Sequence, residues 1–317
     1  MKLNKPQNCI IKNINNVNKD VFNNMADEYD NLTDLWYPHL LSIGHKIILE
    51  NFGCTAAADS TKVVLDVGCG TGEQSGIFLK LGYNVVRIDV SEKLLSIAQT
   101  KYPKIKFIQA SAEEIPFPDN TFDIVNCFDT LHLIQNWELA IKEMCRVLKP
   151  GGKIFLCVEH KFSLEILWEF VSAILNNCFQ YDENLKEVIA HFRNPKAGHW
   201  VDWPYIKNDG TKVYMKVYLF TKKEIKNTLE KNGIRIKKLY GIHFLTNLLP
   251  STFLQLPRPS RLLRTVFSAI SRLEKIISKF IDFSNFSSYI CIIGEKKIRQ
   301  LDEMEPLSLL FLIKLVN

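Results

Sequence analysis

The chain has 317 residues, of which 47% are hydrophobic and 23% charged, a composition that excludes a disordered, fibrous or collagen-like protein. Its net charge of +6 is unevenly spread, because residues 207–299 hold 19 basic and 6 acidic side chains, whereas residues 1–206 hold 20 and 25. Such an excess is commonly a solvated lysine-rich surface. It is also a positive field that attracts an anionic acceptor, an anionic membrane surface or nucleic acid.

The eight cysteines are scattered, with no CxxC pair and no cysteine–histidine cluster at zinc-ligand spacing, so neither a disulfide framework nor a zinc site is predicted. The first 16 residues are too polar for the apolar core of a signal peptide, and no stretch reaches ~18 uninterrupted apolar residues. We therefore expect free thiols and a cytoplasmic protein.

Residues 1–60 are predicted to contain helices rich in tyrosine and tryptophan, set ahead of the first strand. From residue 61 to residue 158, strands and helices alternate, which is the pattern of a doubly wound α/β domain with helices on both faces of a parallel sheet. The predicted strands of this part are 62–69, 84–90, 104–110, 122–128 and 153–159. The predicted helices are 72–82, 91–102 and 137–149, and the last of these is stopped by Pro150 and Gly151.

The remaining chain divides into three predicted parts. Residues 159–219 are expected to form a substrate cap of two helices and a hairpin that turns at Asn208-Asp209-Gly210. Residues 220–299 supply the rest of the sheet, with two further strands, and an inserted basic amphipathic helix at 261–281. Residues 300–317 form an acidic and apolar tail. The predicted elements of the two middle parts are the helices 162–179, 183–193, 221–233 and 261–280 and the strands 234–244 and 287–297.

A glycine-rich loop, LDVGCGTGEQS, lies between the first predicted strand and its helix. Gly68, Gly70 and Gly72 allow a sharp turn and let a ligand lie against the backbone. The spacing is not the G-x-G-x-x-G of dinucleotide folds, and Glu73 would repel a pyrophosphate at the start of the helix. No GK(S/T) follows, so a Walker loop is also excluded.

The residues around this loop favour a ligand without phosphate that has an amino acid end and a nucleoside end. Asp66 offers a carboxylate to an ammonium group, directly or through water. Asp89 closes the second strand 17 residues beyond Gly72, where an acidic side chain accepts both ribose hydroxyls in Rossmann-like folds. Both acids are predicted to lie at the carboxyl edge of the sheet.

Four blocks in order, VVLDVGCGTG, VVRIDVSEKLLSIAQ, ASAEEIPFPDNTFDIVNCFDTLHLI and MCRVLKPGGKIFL, resemble the class I S-adenosylmethionine-dependent methyltransferases, in particular the ubiquinone/menaquinone-type and small-molecule group. The resemblance implies a Rossmann-like, mostly parallel sheet of seven strands, a helical N-terminal lid and S-adenosylmethionine as cofactor. The cofactor-binding residues it implies are Asp66, Gly68, Cys69 and Gly70 at the methionine, Asp89 and Val90 at the ribose, Ser111, Ala112 and Glu113 at the adenine, Cys127 and Phe128 near the sulfonium, and Tyr29 in the lid.

One position departs from the family pattern. Many members have aspartate where this chain has Ser111, so a serine hydroxyl replaces the carboxylate that would accept from the adenine amino group. This departure keeps open a non-catalytic protein that binds the cofactor without turnover.

Methyl transfer from a sulfonium needs alignment and exclusion of water, and a base only if the acceptor loses a proton. Side chains that follow the fourth and fifth strands are candidates for that base: Asp129, His132, Glu159 and His160. Of these, His132 and His160 are the predicted catalytic residues. No metal site is predicted.

The acceptor is expected to be a small or medium-sized, partly apolar molecule, because the predicted cap is rich in Trp, Phe, Tyr and Leu. A soluble enzyme of specialised metabolism and a membrane-surface enzyme acting on a lipid, quinone or sterol both fit, the latter through the basic amphipathic helix. A nucleic-acid methyltransferase is disfavoured, because the fourth strand ends in NCFDTL and lacks the (N/D)PP(Y/F) motif of base-directed enzymes.

Overall fold

The computed structural model describes residues 13–31, 35–53, 61–103, 105–179, 181, 185–206, 211–256, 258–278 and 280–298. The predicted hairpin turn at 208–210 and the predicted tail at 300–317 lie outside these ranges. None of the helices in the described ranges is both long and apolar enough to cross a membrane.

The architecture is a seven-stranded sheet with helices on both of its faces, which confirms the predicted fold class. The strands are β1 (Val63–Val67), β2 (Asn84–Asp89), β3 (Lys106–Gln109), β4 (Phe122–Phe128), β5 (Leu148–Glu159), β6 (His199–Ile206), β7 (Lys212–Leu219), β8 (Ile234–Ile242) and β9 (Tyr289–Lys296). Seven of them form one sheet in the order β3-β2-β1-β4-β5-β9-β8, in which β9 is antiparallel to both of its neighbours. The remaining two, β6 and β7, form a separate antiparallel hairpin.

Ten α-helices are described: α1 (Ile14–Met25), α2 (Trp36–Phe52), α3 (Glu73–Lys80), α4 (Glu92–Lys101), α5 (Trp137–Val147), α6 (Glu165–Ile174), α7 (Leu185–Arg193), α8 (Lys222–Lys231), α9 (Ser251–Leu254) and α10 (Arg261–Ile277). Short 3-10 turns occur at 26–31, 131–133 and 245–248. Hydroxyl side chains cap two of these helices at the N-terminus: the Ser91 hydroxyl accepts from the amide of Leu94, and the Thr221 hydroxyl accepts from the amide of Glu224.

The sheet separates two hydrophobic cores, because alternate residues of a strand face opposite sides. Leu65 and Val125 pack with α5 and α8 on one face. Val64 and Ile124 pack with α2, α3 and Phe267 of α10 on the other face. Strands buried on both sides explain the nearly continuous apolar runs in the sequence.

Two predicted helices are too long. The helix predicted to run from residue 137 to the stop at Pro150 ends at Val147, and the chain enters β5 at Leu148, because a residue that precedes proline, here Lys149, is disfavoured in the helical region. The helix predicted at 162–179 is only α6, because Asn176 and Asn177 adopt left-handed backbone with φ of 54° and 63°.

The strand order reverses between β1 and β4, which lie side by side and lead to strands on opposite sides of the sheet. Ligands of open α/β sheets bind at such a switch point, outside the carboxyl ends of the strands. The N-terminal helix α1 lies near this edge, where Asn18 exchanges two 2.8 Å hydrogen bonds with the backbone of Lys216 in β7. The proposed division into lid, core and cap stays a prediction.

Candidate active site

The glycine loop follows β1 at the switch point and requires glycine for two different reasons. Gly68, Gly70 and Gly72 all have positive φ, at 69°, 52° and 90°. A Cβ on Gly68 would lie 2.1 Å from Cγ2 of Thr130, and a Cβ on Gly72 would lie 2.7 Å from the buried guanidinium of Arg87. Conformation and close approach therefore both fix the loop sequence.

Asp89 at the end of β2 ties the glycine loop to the second strand. One carboxylate oxygen accepts from the amide of Gly70 at 2.9 Å and the other from the amide of Ser91 at 2.8 Å. Burial is the main cause that raises the pKa of Asp89, and the two amide donors oppose that rise. Since a carboxylate has about four lone-pair positions, it retains capacity for two more donors.

Asp66 lies under the loop in a polar cluster. Its carboxylate accepts from the Asn126 amide at 2.6 Å and from the Ser75 hydroxyl, and burial raises its pKa. Beside it, both amide atoms of buried Gln74 make no hydrogen bond within the described part of the chain. Buried polar atoms without partners are costly, so Gln74 is poised for a polar ligand group.

A space above the loop joins these polar groups to aromatic side chains from the N-terminal segment. It is lined by Tyr29, Tyr37, Leu41, Asp66, Gly68, Cys69, Thr71, Glu73, Gln74 and Phe128. The hydroxyls of Tyr29 and Tyr37 lie 3.3 Å apart. Thr71 donates to Asp30 at 2.6 Å, which fastens the N-terminal 3-10 turn to the glycine loop.

A largely apolar cleft of about 670 Å³ extends from the loop along the ends of β2 and β3. Its walls are formed by Asn15, Asn18, Lys19, Phe22, Gly68, Ile88, Asp89, Val90, Leu94, Ala110, Ser111, Ala112, Thr130, Leu133 and Ile134. The cleft is therefore suited to a flat apolar group whose polar end reaches Asp89.

Most of the predicted cofactor residues meet in these two spaces. Three of them line neither space: Gly70, Glu113 and Cys127. The Glu113 carboxylate accepts from the Asn15 side chain at 2.9 Å and from the backbone amide of Asn136 at 2.9 Å. Cys127 is fully buried within the core. Ligand contact by any of these residues stays a prediction.

A third space, of about 710 Å³, borders the loop space and the apolar cleft and is termed the acceptor cavity here. It shares Tyr29 and Tyr37 with the loop space and Phe22 and Leu133 with the apolar cleft. Its lining residues are Phe22, Met25, Tyr29, Trp36, Tyr37, Asp129, His132, Leu133, Glu159, Trp203, Met215, Val217, Gln255 and Tyr289. The hairpin β6–β7 thus contributes to its wall, and six of the 14 lining residues are Phe, Tyr or Trp.

Three titratable side chains of the acceptor cavity lie together. Donor atoms of Asp129, His132 and Glu159 all lie within 4.8 Å of one another. Nε2 of His132 lies 3.6 Å from the Asp129 carboxylate, and the Tyr289 hydroxyl donates to Glu159 at 3.0 Å. Asp129 and His132 are three residues apart after β4, whereas Glu159 comes from the end of β5. The set suits a proton or a cation.

Burial shifts the pKa values of all three groups toward their neutral forms. It lowers the pKa of His132 to about 3 and raises the pKa of Glu159 to about 7. The pKa of Asp129 is raised well above its ordinary value by burial and then by the nearby Glu159. Strongly perturbed groups in a cleft are candidates for acid–base chemistry.

His160, the other predicted catalytic residue, is not brought to this cluster. Its Nδ1 lies 3.1 Å from the carbonyl of Ser287, and it lines a smaller neighbouring cavity with Glu165 and His191. Burial lowers its pKa to about 4. A role in acid–base chemistry at the acceptor cavity is therefore better suited to His132.

Two residues that no sequence pattern marks as functional belong to the site, Gln74 and Tyr289. Gln74 follows Glu73 in the glycine-loop helix, and no pattern distinguishes it from a surface glutamine. Tyr289 reaches Glu159 only because β9 pairs antiparallel with β5, which sets the two residues opposite each other. Because Glu159 and Tyr289 are 130 residues apart in the sequence, no local pattern predicts their contact.

A sheet of this order, with a glycine loop after β1 and an acid closing β2, defines a Rossmann-like nucleoside-binding methyltransferase fold. A methyltransferase domain model matches residues 65–156. A ubiquinone/menaquinone biosynthesis C-methyltransferase from Citrobacter koseri is 33% identical over 194 residues, covering 54% of this chain and 75% of the relative. The chain belongs to the class I S-adenosylmethionine-dependent methyltransferase family.

Two further similarities agree with this assignment. A demethylmenaquinone methyltransferase from Chlorobaculum tepidum is 32% identical over 148 residues, and the match spans 44% of this chain and only 57% of that relative. The crystal structure of the cyclase SpnF superposes with a TM-score of 0.54 at 16% identity, covering 89% of this chain and 97% of that chain. At this identity the likeness concerns the fold alone.

The residues present fit the family cofactor, S-adenosylmethionine. The unpartnered amide of Gln74 and the carboxylate of Asp66 suit its amino acid end. Asp89 has lone pairs left for ribose hydroxyls, and the apolar cleft beyond it suits an adenine ring. The Ser111 hydroxyl accepts from the amide of Glu113 at 3.1 Å, so it is already part of the turn at the cleft wall.

Proposed function

We propose that this chain transfers the methyl group of S-adenosylmethionine to a small or medium-sized, partly apolar ring compound that gives up a proton from a hydroxyl or an acidic carbon. The observation that carries the proposal is the acceptor cavity, which adjoins the cofactor spaces and holds the Asp129–His132 pair among aromatic side chains. Two relatives are named as quinone-biosynthesis methyltransferases, which supports an acceptor of this chemistry.

When bound, S-adenosylmethionine supplies an electrophilic methyl group for direct displacement. The protein holds the acceptor in line and keeps water out, and these tasks fall to the aromatic wall of the cavity. Tyr29 and Tyr37 border both the loop space and the acceptor cavity, so they define the passage between the cofactor and the acceptor.

We assign removal of the acceptor's proton to the Asp129–His132 pair. The low pKa of His132 keeps its imidazole neutral, so Nε2 has a lone pair in the tautomer protonated at Nδ1, but it also makes the residue a weak base by itself. An ionised Asp129 carboxylate, 3.6 Å away, strengthens this base because it stabilises the imidazolium. Glu159, fixed by Tyr289, controls how readily Asp129 ionises, because two carboxylates in one cavity resist bearing charge together.

The experiment is a methyl-transfer assay with tritiated S-adenosylmethionine and a panel of quinols, phenols, β-dicarbonyl compounds and aliphatic amines. We expect label in a ring acceptor with an ionisable hydroxyl or carbon, and none in the amines. Label confined to amines would contradict the proposed acceptor class. Binding of the cofactor in calorimetry without transfer to any compound would favour the non-catalytic alternative.

The predicted cytoplasmic location stays a prediction. All six cysteines in the described ranges are free thiols, which is compatible with a reducing compartment.

A further inference from the structure

Helix α10 buries Phe267 in the core but turns a second set of apolar side chains to solvent. Leu262 is 75% exposed, and Phe280, just beyond the helix, is 83% exposed. The exposed apolar side chains recur at helical spacing along one side and are Leu262, Val266, Leu273, Ile276 and Phe280. These five residues are termed the apolar stripe. Exposed apolar patches of this kind mark interaction surfaces.

Polar bonds on the opposite side of α10 fix this orientation. The carboxylate of buried Glu274 accepts from the backbone amides of His243 at 3.0 Å and Thr246 at 2.9 Å. The hydroxyl of buried Ser271 lies 3.0 Å from Nδ1 of His39. Turning the apolar stripe inward would break these bonds and bury unpaired donors, so the outward orientation is built into the fold.

Neighbouring elements also expose apolar side chains. The 3-10 turn at 245–248 packs against α10 and exposes Leu248. The same turn receives a 2.8 Å hydrogen bond from the indole of Trp168 in α6 to the carbonyl of Asn247. Three large side chains of α6 are also exposed: Leu167, Phe170 and Ile174.

The charges around the apolar stripe are almost all positive. Arg261, Arg264 and Arg272 are exposed on α10, and Lys275 is half-buried. The helix has a single acidic residue, Glu274, and its carboxylate is buried and bonded to the backbone. Apolar side chains flanked by arginines are the pattern of a helix that lies in the interface of an anionic bilayer.

We propose that the apolar stripe and its flanking arginines dock this chain on the surface of an anionic lipid bilayer. The apolar side chains enter the boundary between headgroups and acyl chains, and the arginines pair with lipid phosphates. Nucleic acid also attracts arginines but offers nothing to an apolar stripe, so the combination favours lipid. This proposal is independent of the acceptor and of methyl transfer.

The test is co-sedimentation of the full chain with extruded vesicles of phosphatidylcholine alone and of phosphatidylcholine with about 30 mol% phosphatidylglycerol. At low salt we expect partitioning at least about tenfold stronger into the anionic vesicles, and a marked loss at high salt, because lipid charges are screened. Equal partitioning into both kinds of vesicle, or none into either, overturns the proposal.

Two double variants address the two halves of the surface. L273S/I276S removes apolar contacts and R261E/R272E reverses charge, and each should weaken partitioning about tenfold or more. The matched control is L49S/L139S, since these leucines are 48% and 43% exposed on α2 and α5, and it should change partitioning less than about twofold.

Calorimetry with S-adenosylmethionine shows separately that each variant is folded. The partitioning result can therefore be interpreted even if the proposed methyl transfer is wrong. Loss of partitioning in the control to the same extent overturns the assignment of the surface. A dimer found by sedimentation equilibrium, and dissociated by L273S/I276S, would also overturn the proposal. In that case a second copy of the chain would cover the apolar stripe.

Discussion

Nε2 of His132 lies 3.6 Å from Oδ1 of Asp129 at the wall of the acceptor cavity. Asp129 directly follows β4, with a left-handed φ of 55°, and His132 lies in the 3-10 turn that comes next. The strained turn thus brings both side chains to the ligand edge of the sheet. A histidine and a carboxylate at the position where an acceptor proton must leave form the chemical centre of the proposed reaction.

Replacing His132 with asparagine should lower kcat by about 10²- to 10⁴-fold, the usual contribution of a general base. Asparagine keeps a polar side chain but has no comparable proton affinity. The affinity for S-adenosylmethionine should stay within about twofold, because His132 lines the acceptor cavity and neither cofactor space. Steady-state kinetics and calorimetry on the same preparation measure both quantities.

The matched control is His160→Asn, a second buried histidine in the neighbouring cavity, whose kcat should fall much less. A chelator adds a further check on the role of His132. If ethylenediaminetetraacetate abolishes turnover and a divalent cation restores it, the donor set of Asp129, His132 and Glu159 holds a metal, and the assignment as a base is wrong.

The kcat of methyl transfer should rise with pH across neutrality. The base works only when the Asp129–His132 pair has lost its proton. Burial raises the pKa of Asp129, and it raises the pKa of Glu159 to about 7. Activity is therefore lost as the pH falls through these raised values. Since Glu159 contributes to the rise at Asp129, Glu159→Gln should move the acidic limb of the kcat profile to lower pH.

The same profile measured for Glu224→Gln serves as a control, because Glu224 lies in α8 and lines none of the three cavities at the site. An acidic limb that stays at the same pH in Glu159→Gln would mean that Glu159 does not act on Asp129. A collapse of kcat at every pH would make Glu159 itself the base.

Gly68→Ala should destabilise the protein more than Gly233→Ala. Both glycines have positive φ, so alanine is strained at either position by about 1–2 kcal/mol. At Gly68 the new Cβ also meets an atom of Thr130, 2.1 Å away, whereas at Gly233 no atom of the described residues lies within 4 Å of it. Overpacking adds about 1–3 kcal/mol. Equal free energies of unfolding from urea denaturation would contradict the crowding at Gly68.

Glu274→Ala should lower the free energy of unfolding by roughly 2–5 kcal/mol. The change leaves the buried amides of His243 and Thr246 without an acceptor, at about 1–3 kcal/mol for each unpaired group. Glu230→Ala, at an exposed position in α8, should change stability by less than about 0.5 kcal/mol. Similar losses in the two variants would mean that Glu274 does not anchor α10.

The cofactor side of the site could be predicted from the sequence because its residues lie at the ends of short, strongly patterned strands. Asp66 and Asp89 close neighbouring parallel strands, and parallel pairing alone places both at one sheet edge. The glycines between them signal a turn with close approach. These are local features, so little tertiary information was needed to identify them.

The acceptor side could not be predicted to the same extent. Glu159 and Tyr289 are opposite each other only through the register of two antiparallel strands that are distant in sequence. The period of α10 predicts an amphipathic helix but not which side packs, because that choice depends on His39 and His243, which bond to Ser271 and Glu274 from other elements. Contacts between elements that are distant in sequence therefore determine both the Glu159–Tyr289 pair and the orientation of α10.

The measurement that tests the central claim is calorimetric titration with S-adenosylhomocysteine, the demethylated product, and with its 2′-deoxy analogue, for the wild type and Asp89→Asn. Binding of the parent ligand near 1 μM corresponds to about −8 kcal/mol. Because Asp89 also accepts from the amides of Gly70 and Ser91, the variant alone would not separate a lost ribose contact from a disturbed loop. We predict that Asp89→Asn weakens the parent ligand at least about tenfold more than the deoxy analogue. Equal weakening of the two ligands, or no weakening of either, would contradict the assignment of Asp89 to the ribose.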